Sequence, residues 1–258
     1  MVTEENTMCE GPDSVALKIS KPFGKKLVER AEISEGAIVL DIGTGLGPVF
    51  FPAAEKVGDH GLVVGVDIAD EMVRGTYATM KTSMVGNAVI LQADARRLTF
   101  KDNTFDAVLS GFSYLDCSPK EVIRVLKEGG QLALSTWALL EDMEYMAECV
   151  NKYFPVSSQD VYYQSTPGEL RNLLCEAGFE PVEIVREHEE FVYRDEHQWW
   201  GEMLDSGWES YVKRVGNTGD VEEFKKEAFE GLQVYRRADG ISFTLSVLFA
   251  FCTEGRPR

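Results

Sequence analysis

The sequence predicts an α/β protein built on a doubly wound, mainly parallel sheet. Three observations predict it. Five short apolar runs between residues 37 and 137 alternate with helical patterns. The runs are nearly continuous in apolar residues, as parallel strands covered on both faces must be. The first run leads through LDIGTGLG into Gly43, Gly45 and Gly47. Glycines at the carboxyl end of a strand let the backbone approach a nucleotide-like ligand.

In chain order, the polar, acidic start MVTEENTMCEGPD lacks a basic n-region and an apolar h-region. It reads as a frayed tail over residues 1–20 rather than a secretion signal. The strands are expected at AIVLD (37–41), LVVGVD (62–67), AVILQA (88–93), FDAVLS (105–110) and QLALSTW (131–137). Helices are expected around 49–57, 70–84 and 118–127. Pro48 can sit at N1 of the first, but Pro52 removes a bond donor, so that helix should start late, near Phe51, or kink. Asp70 is the expected N-cap of the second. Ser118, Pro119 and Glu121 read as a capping start for the third, ended by Gly129-Gly130.

The second half reads differently. Residues 138–160 suggest a helix and loop. Thr166-Pro167-Gly168-Glu169 is a capping box that opens a helix closed by Gly178. A strand is expected at about 179–192, an acidic aromatic helical stretch at 195–237 and a last strand at about 241–252.

Bulk properties narrow the function. The 258 residues include 43 acidic and 26 basic side chains, a formal charge of −17, which argues against nucleic acid as a partner. No apolar run is long enough for a membrane span. Five scattered cysteines and three histidines show no metal-ligand spacing, so no metal is expected. The odd cysteine count suggests reduced thiols and a cytoplasmic location.

The glycine loop alone admits dinucleotides, nucleoside triphosphates or S-adenosylmethionine. A dinucleotide loop wants a glycine where Pro48 stands, and a triphosphate loop wants Gly-Lys-Ser/Thr, whereas no lysine follows until Lys56. Three acids close successive strands. Asp67, at the end of the second, suits ribose hydroxyls, and Asp94, after the third, suits an adenine amino group. Asp41, at the end of the first, belongs near a ligand ammonium or the loop amides. Together they suit a ligand with an amine, a sulfonium and a neutral ribose, and suit a pyrophosphate poorly.

The series VLDIGTGLG, VVGVDIADEMV, LQADARRLTFKDNTFDAVLS and EVIRVLKEGGQLALSTW resembles the class I S-adenosylmethionine-dependent methyltransferases over residues 22–137. TPGELRNLLCEAGFEPVEI resembles the later helix and strand of the small-molecule, UbiE-like members, and the WW segment resembles their substrate cap. The resemblance implies a seven-stranded Rossmann-like sheet of order 3-2-1-4-5-7-6 with the last strand antiparallel. It implies a methyltransferase domain over 21–258, with 138–165 and 195–238 as helical cap insertions over the carboxyl edge. The implied cofactor is S-adenosyl-L-methionine, with S-adenosyl-L-homocysteine as product, and the implied partner is a small-molecule methyl acceptor.

Residue roles follow from the same resemblance. Gly43, Thr44 and Gly45 would line the methionine moiety. Asp67 would hold the ribose, Ile68 and Met72 would pack on adenine, and Asp94 and Ala95 would meet its edge. Ser110 and Phe112 would border the sulfonium and the acceptor. Tyr114, Trp137, Trp199 and Trp200 are candidates for the acceptor pocket. Adjacent helical positions face apart, so one of Trp199 and Trp200 should point inward and the other outward or into a pocket. Tyr114 and His197 are weak candidates for a general base. Each has a plainer reading: Trp199 and Trp200 as core, His197 as a solvated helix residue, His188 as a structural strand residue and His60 as a turn residue. Two other functions fit the same residues: a peptide or protein methyltransferase whose acidic cap attracts basic side chains, and a non-catalytic S-adenosylmethionine-binding module.

Overall fold

The structure, a computed structural model, describes residues 15–113, 118–138, 144–153, 166–204 and 218–254. The elements in chain order are α1 Val15–Arg30, β1 Ile38–Ile42, α2 Phe50–Val57, β2 Leu62–Asp67, α3 Asp70–Thr82, β3 Ala88–Gln92, β4 Phe105–Gly111 and α4 Pro119–Val125. They continue with β5 Leu126–Trp137, α5 Glu144–Tyr153, α6 Pro167–Glu176, β6 Phe179–Tyr193, α7 Glu196–Met203, α8 Thr218–Leu232, β7 Arg236–Arg237 and β8 Gly240–Glu254.

The sheet order is β3-β2-β1-β4-β5-β8-β6, with the two-residue β7 added against β8. The first five strands run parallel, and β8 runs antiparallel to β5 from Gln131↔Thr253 to Trp137↔Val247. This is the expected order, with the last strand counted eighth because β7 precedes it. β5 is longer than expected, since Leu126–Gly130 join it ahead of the apolar run.

Contacts divide the chain into two compact units. One spans 19–138, 165–187 and 247–258. Its core lies on one sheet face, where Leu40, Val64, Val108, Leu132, Leu134 and Leu248 meet Val122 and Val125 of α4 and Leu170 and Leu174 of α6. Parallel strands need helices on both faces, which is why the strand interiors are apolar throughout. The other unit spans 1–18, 139–164 and 188–246. In it, α5 meets α8 where Lys152 and Tyr153 both reach the Glu227 carboxylate at 2.6 Å. Gly231 makes room there, because a Cβ would fall 1.7 Å from the Tyr145 ring and the ring would have to move.

Some local expectations hold and others are corrected. Residues 15–20 belong to α1 rather than to a tail. α2 begins at Phe50, so Pro52 sits in the first turn, where amides have no intrahelical acceptor and the missing N–H costs little. Pro48 falls in the turn before it. Asp70 is the first residue of α3 rather than its cap; Ala69 caps, and its amide is taken by Asp67 Oδ1 at 3.0 Å. Ser118 makes no side-chain cap. Glu121 accepts instead from the Leu98 amide at 2.8 Å and from Arg124. The box at Thr166 forms in both halves, with Glu169 N–H donating to Thr166 Oγ1 and Thr166 N–H to Glu169 Oε2.

Arg124 explains why the stretch between β3 and β4 holds its course without a helix. Its guanidinium donates to the carbonyls of Leu98 and Phe100 and to Glu121 and Asp102 at 2.7–2.9 Å. Removing it takes the donor from two part-buried carbonyls and leaves Glu121 held only by the Leu98 amide. Arg124→Ala is expected to cost about 2–3 kcal/mol, read as a lower urea midpoint with an unchanged slope.

Candidate functional site

The carboxyl ends of β1, β2 and β4 converge on the glycine loop. Gly43, Gly45 and Gly47 have φ of +66°, +53° and +86°, a backbone region that favours glycine. The amides of Gly43 and Thr44 both donate to the Val66 carbonyl, at 2.9 and 3.1 Å. Gly45 N–H donates to Asp67 Oδ2 at 2.8 Å, and Thr76 Oγ1 donates to the Gly45 carbonyl at 2.6 Å. A Cβ on Gly43 would lie 2.3 Å from Ser113 Cβ, and one on Gly65 would lie 2.7 Å from Thr44 Oγ1. The loop is therefore held in shape by β2, α3 and the end of β4. Sequence reading missed Thr76, Ser113 and Gly65, whose roles depend on partners 21–70 positions away that no local pattern marks.

Asp41 is the unusual group. It is 1% exposed, and neither carboxylate oxygen has a hydrogen-bond partner. The Thr44 hydroxyl beside it donates to the Asp41 main-chain carbonyl at 3.0 Å. Burial pushes the Asp41 carboxyl up to about 8; the nearby Thr44 hydroxyl lowers it in part, and the Asp67 charge raises it further. Of the two placements open for Asp41, its carboxylate does not accept from the loop amides. A buried polar group left unpaired costs stability, so a cationic group near Asp41 would be favoured.

Asp67 stands at the end of β2, with each oxygen accepting one backbone amide, from Gly45 and from Ala69. A carboxylate has about four acceptor positions, so two remain for other donors. Next to it, Ile68 is 61% exposed, a large apolar side chain with nothing over it, and Met72 is half-buried on α3. Asp94 and Ala95 follow β3 in a turn. Asp94 receives the Arg96 amide at 2.9 Å and its guanidinium at 2.7–3.1 Å, which hold the exposed Asp94 carboxyl down at about 2. An adenine amine at Asp94 therefore has Arg96 as a competitor, a partner two residues away that the sequence reading did not weigh.

At the end of β4, Ser110 is buried with its hydroxyl 3.4 Å from the Ile42 carbonyl. Phe112 adopts φ +62°, uncommon for a residue with a Cβ. Its ring lies against Trp137 at the end of β5, with centroids 4.6 Å apart. Tyr114 and Cys117 lie outside the described residues. In the other unit, Trp199 and Trp200 are both buried, at 6% and 9% exposure, which corrects the inward–outward expectation. Trp200 packs on Phe224 and Phe229 of α8, so α7 is covered on more than one side. His197 is exposed on α7, edge-on to Phe229, and His188 Nδ1 lies 2.9 Å from Ser246 Oγ.

Lys56 decides against a phosphate. Its ammonium donates to the carbonyls of Val28, Glu29 and Ala31 at 2.6–3.2 Å, closing the carboxyl end of α1. Asp41 leads into the loop and Asp67 accepts its Gly45 amide. The cavity lined by Ser34, Gly36, Ala37 and Lys127 opens at the amino ends of β1 and β4, away from this chemistry.

Residues 33–178, more than half of the chain, match the methyltransferase domain family. The chain belongs to that family. It is 32% identical over 128 residues to nocamycin O-methyltransferase of Saccharothrix syringae, covering 48% of this chain and 46% of that protein. The chain thus spans about half the length of that relative. It is 27% identical over 203 residues to the ubiquinone/menaquinone biosynthesis C-methyltransferase of Hydrogenovibrio crunogenus, covering 70% of this chain and 80% of that protein. Among solved structures, the YcgJ protein of Bacillus subtilis superposes with a TM-score of 0.63 at 19% identity, over 93% of this chain and all of that one, which shows a common fold.

The methyltransferase site fits S-adenosylmethionine on its own chemistry. An unpaired buried carboxylate calls for a cation such as an amino-acid ammonium. A second carboxylate keeps acceptor positions for hydroxyls, and the exposed Ile68 offers an apolar cover for a flat base. No helix among the described residues is long and apolar enough to cross a membrane.

Proposed function

We propose that this chain transfers a methyl group from S-adenosyl-L-methionine to a small, partly hydrophobic acceptor by in-line displacement, leaving S-adenosyl-L-homocysteine. The observation that carries the reading is the orphaned Asp41 carboxylate beneath a glycine loop already shaped by Asp67. When bound, the donor supplies an electrophilic methyl on a sulfonium, whose leaving group is already good. The residues therefore hold and align rather than activate. Asp41 takes the ammonium, Asp67 the ribose hydroxyls, Gly43, Thr44 and Gly45 the methionine chain, and Ile68 and Met72 the base. Asp94 and Ala95 take its edge once Arg96 yields.

Positive charge is lost from sulfur as methyl moves, so an acid close to sulfur would oppose the transition state. Ser110 and Phe112, both uncharged, suit that position. Most of the rate comes from holding the acceptor atom about 3 Å from the methyl. A hydroxyl or carbon acid also needs a base, a role we give to Tyr114 or His197. We assign acceptor choice to segments 138–165 and 195–238, with Trp199 and Trp200 shaping them from within. The names of the O- and C-methylating relatives support a small molecule and leave both atoms open. The charge of −17 supports a partner other than nucleic acid, and the unpaired thiols of Cys149, Cys175 and Cys252 support a cytoplasmic setting.

Calorimetry tests the donor site first: saturable binding of S-adenosylhomocysteine and none of NAD is expected. Tight NAD binding would reject the reading. Turnover with phenols, quinones, amines and basic peptides then separates a small-molecule enzyme from a peptide enzyme and from a silent binding module.

A further inference from the structure

We propose that Phe23 of α1 is a positioning residue that holds the Phe112–Trp137 ring pair as a platform selecting flat, apolar methyl acceptors. This rests on the methyltransferase reading. Phe112 and Trp137 close adjacent parallel strands, and Phe112 N–H donates to the Ser135 carbonyl at 3.0 Å. Their rings lie 4.6 Å apart and tilted by 31°, and each is only half-buried, so part of each remains uncovered. Phe23 is fully buried and meets both rings edge-on, Phe112 at 6.2 Å and 77° and Trp137 at 6.3 Å and 81°. Edge-to-face packing is a preferred aromatic arrangement, so rings met this way resist turning.

Two facts separate this arrangement from ordinary core packing. Phe112 pays for its place with a left-handed backbone, and such strain persists where surrounding structure imposes it, commonly at functional sites. The residue after Phe23 ties the same helix turn to the donor loop: a Cβ on Gly24 would lie 2.3 Å from the Pro48 carbonyl oxygen. One turn of α1 thus abuts both the glycine loop's exit and the two rings. Misplacing it would shift the acceptor against the donor, where errors of about 1 Å cost on the order of 100-fold in rate.

The test uses the full chain with saturating S-adenosylhomocysteine and two probes of equal skeleton, flat 2-naphthol and puckered 2-decalol. Wild type is expected to bind 2-naphthol at least about tenfold more tightly, and Phe23→Leu to lose that preference while binding S-adenosylhomocysteine unchanged. Trp137→Leu should lose it as well, and Arg124→Ala, which lowers stability through other bonds, should keep it. An absent preference in wild type, or one that survives Phe23→Leu, overturns the proposal. Failure of wild type to bind S-adenosylhomocysteine at all is a different result, which overturns the methyltransferase reading and this inference with it.

Discussion

Asp41→Asn is expected to stabilise the ligand-free protein at pH 8 and to weaken the donor site about 100-fold. The carboxyl is held at about 8 in the folded protein, mainly by burial, against about 4 in an unfolded chain. Its folded value is raised, so the folded state binds the proton more tightly. Ligand-free stability is greatest below about pH 4 and falls as pH rises through the window between 4 and 8. Four units correspond to as much as about 5 kcal/mol by pH 8. Asparagine keeps the shape and removes the charge, so the variant should melt at a higher temperature than wild type at pH 8 and at a similar temperature near pH 4. Donor binding should move the other way. An ammonium needs the ionised form, so below pH 8 wild type must release a proton on binding. Calorimetry at pH 7 in buffers of different ionisation enthalpy reads that proton directly, and Asp41→Asn should abolish it. A variant that melts lower than wild type at pH 8 would show that Asp41 is paired in solution and would remove the main support for an ammonium there.

The same residue shows where sequence was enough and where it was not. The ends of β1 and β2 could be read because each run is nearly continuous in apolar residues and closes at or beside an aspartate. That placed Asp41 and Asp67 at the carboxyl edge to within a residue. The late start of α2 followed from Pro52 alone, and the box at Thr166 from four consecutive residues. What failed were expectations whose deciding partner lies elsewhere. Ser118 and Glu121 have the capping pattern, yet Glu121 is claimed by Arg124 on the next turn and by Leu98 across the chain. At Asp94 the adenine role stands beside a competitor, Arg96, that the reading did not weigh. Trp199 and Trp200 cannot share a helix face, yet both are buried, because α7 is covered on more than one side. The left-handed Phe112 carries no sequence signal, since glycine or asparagine is the usual mark of such a position.

Asp67→Ala is expected to be the most damaging single change for the donor site, because it acts on shape and on contact together. In the folded protein the carboxylate fixes the amide of Gly45, inside the loop, and that of Ala69, at the cap of α3. Each charge-assisted bond is worth about 1.5–3 kcal/mol, and Asp67 is partly exposed, so water replaces some of the loss. A net destabilisation of about 2 kcal/mol is expected from urea titration. Affinity should fall further than stability, by at least about 1000-fold. The freed Gly45 at φ +53° no longer has a fixed amide, and the ribose loses both acceptors. Asp67→Asn divides the two effects. Its single side-chain oxygen can still accept the Gly45 amide, so the loop and the melting temperature should be largely kept. The amide nitrogen cannot accept from Ala69 or from a ribose hydroxyl, so affinity should stay low. Equal affinity in wild type and Asp67→Asn would mean that Asp67 only shapes the loop and that another group receives the sugar.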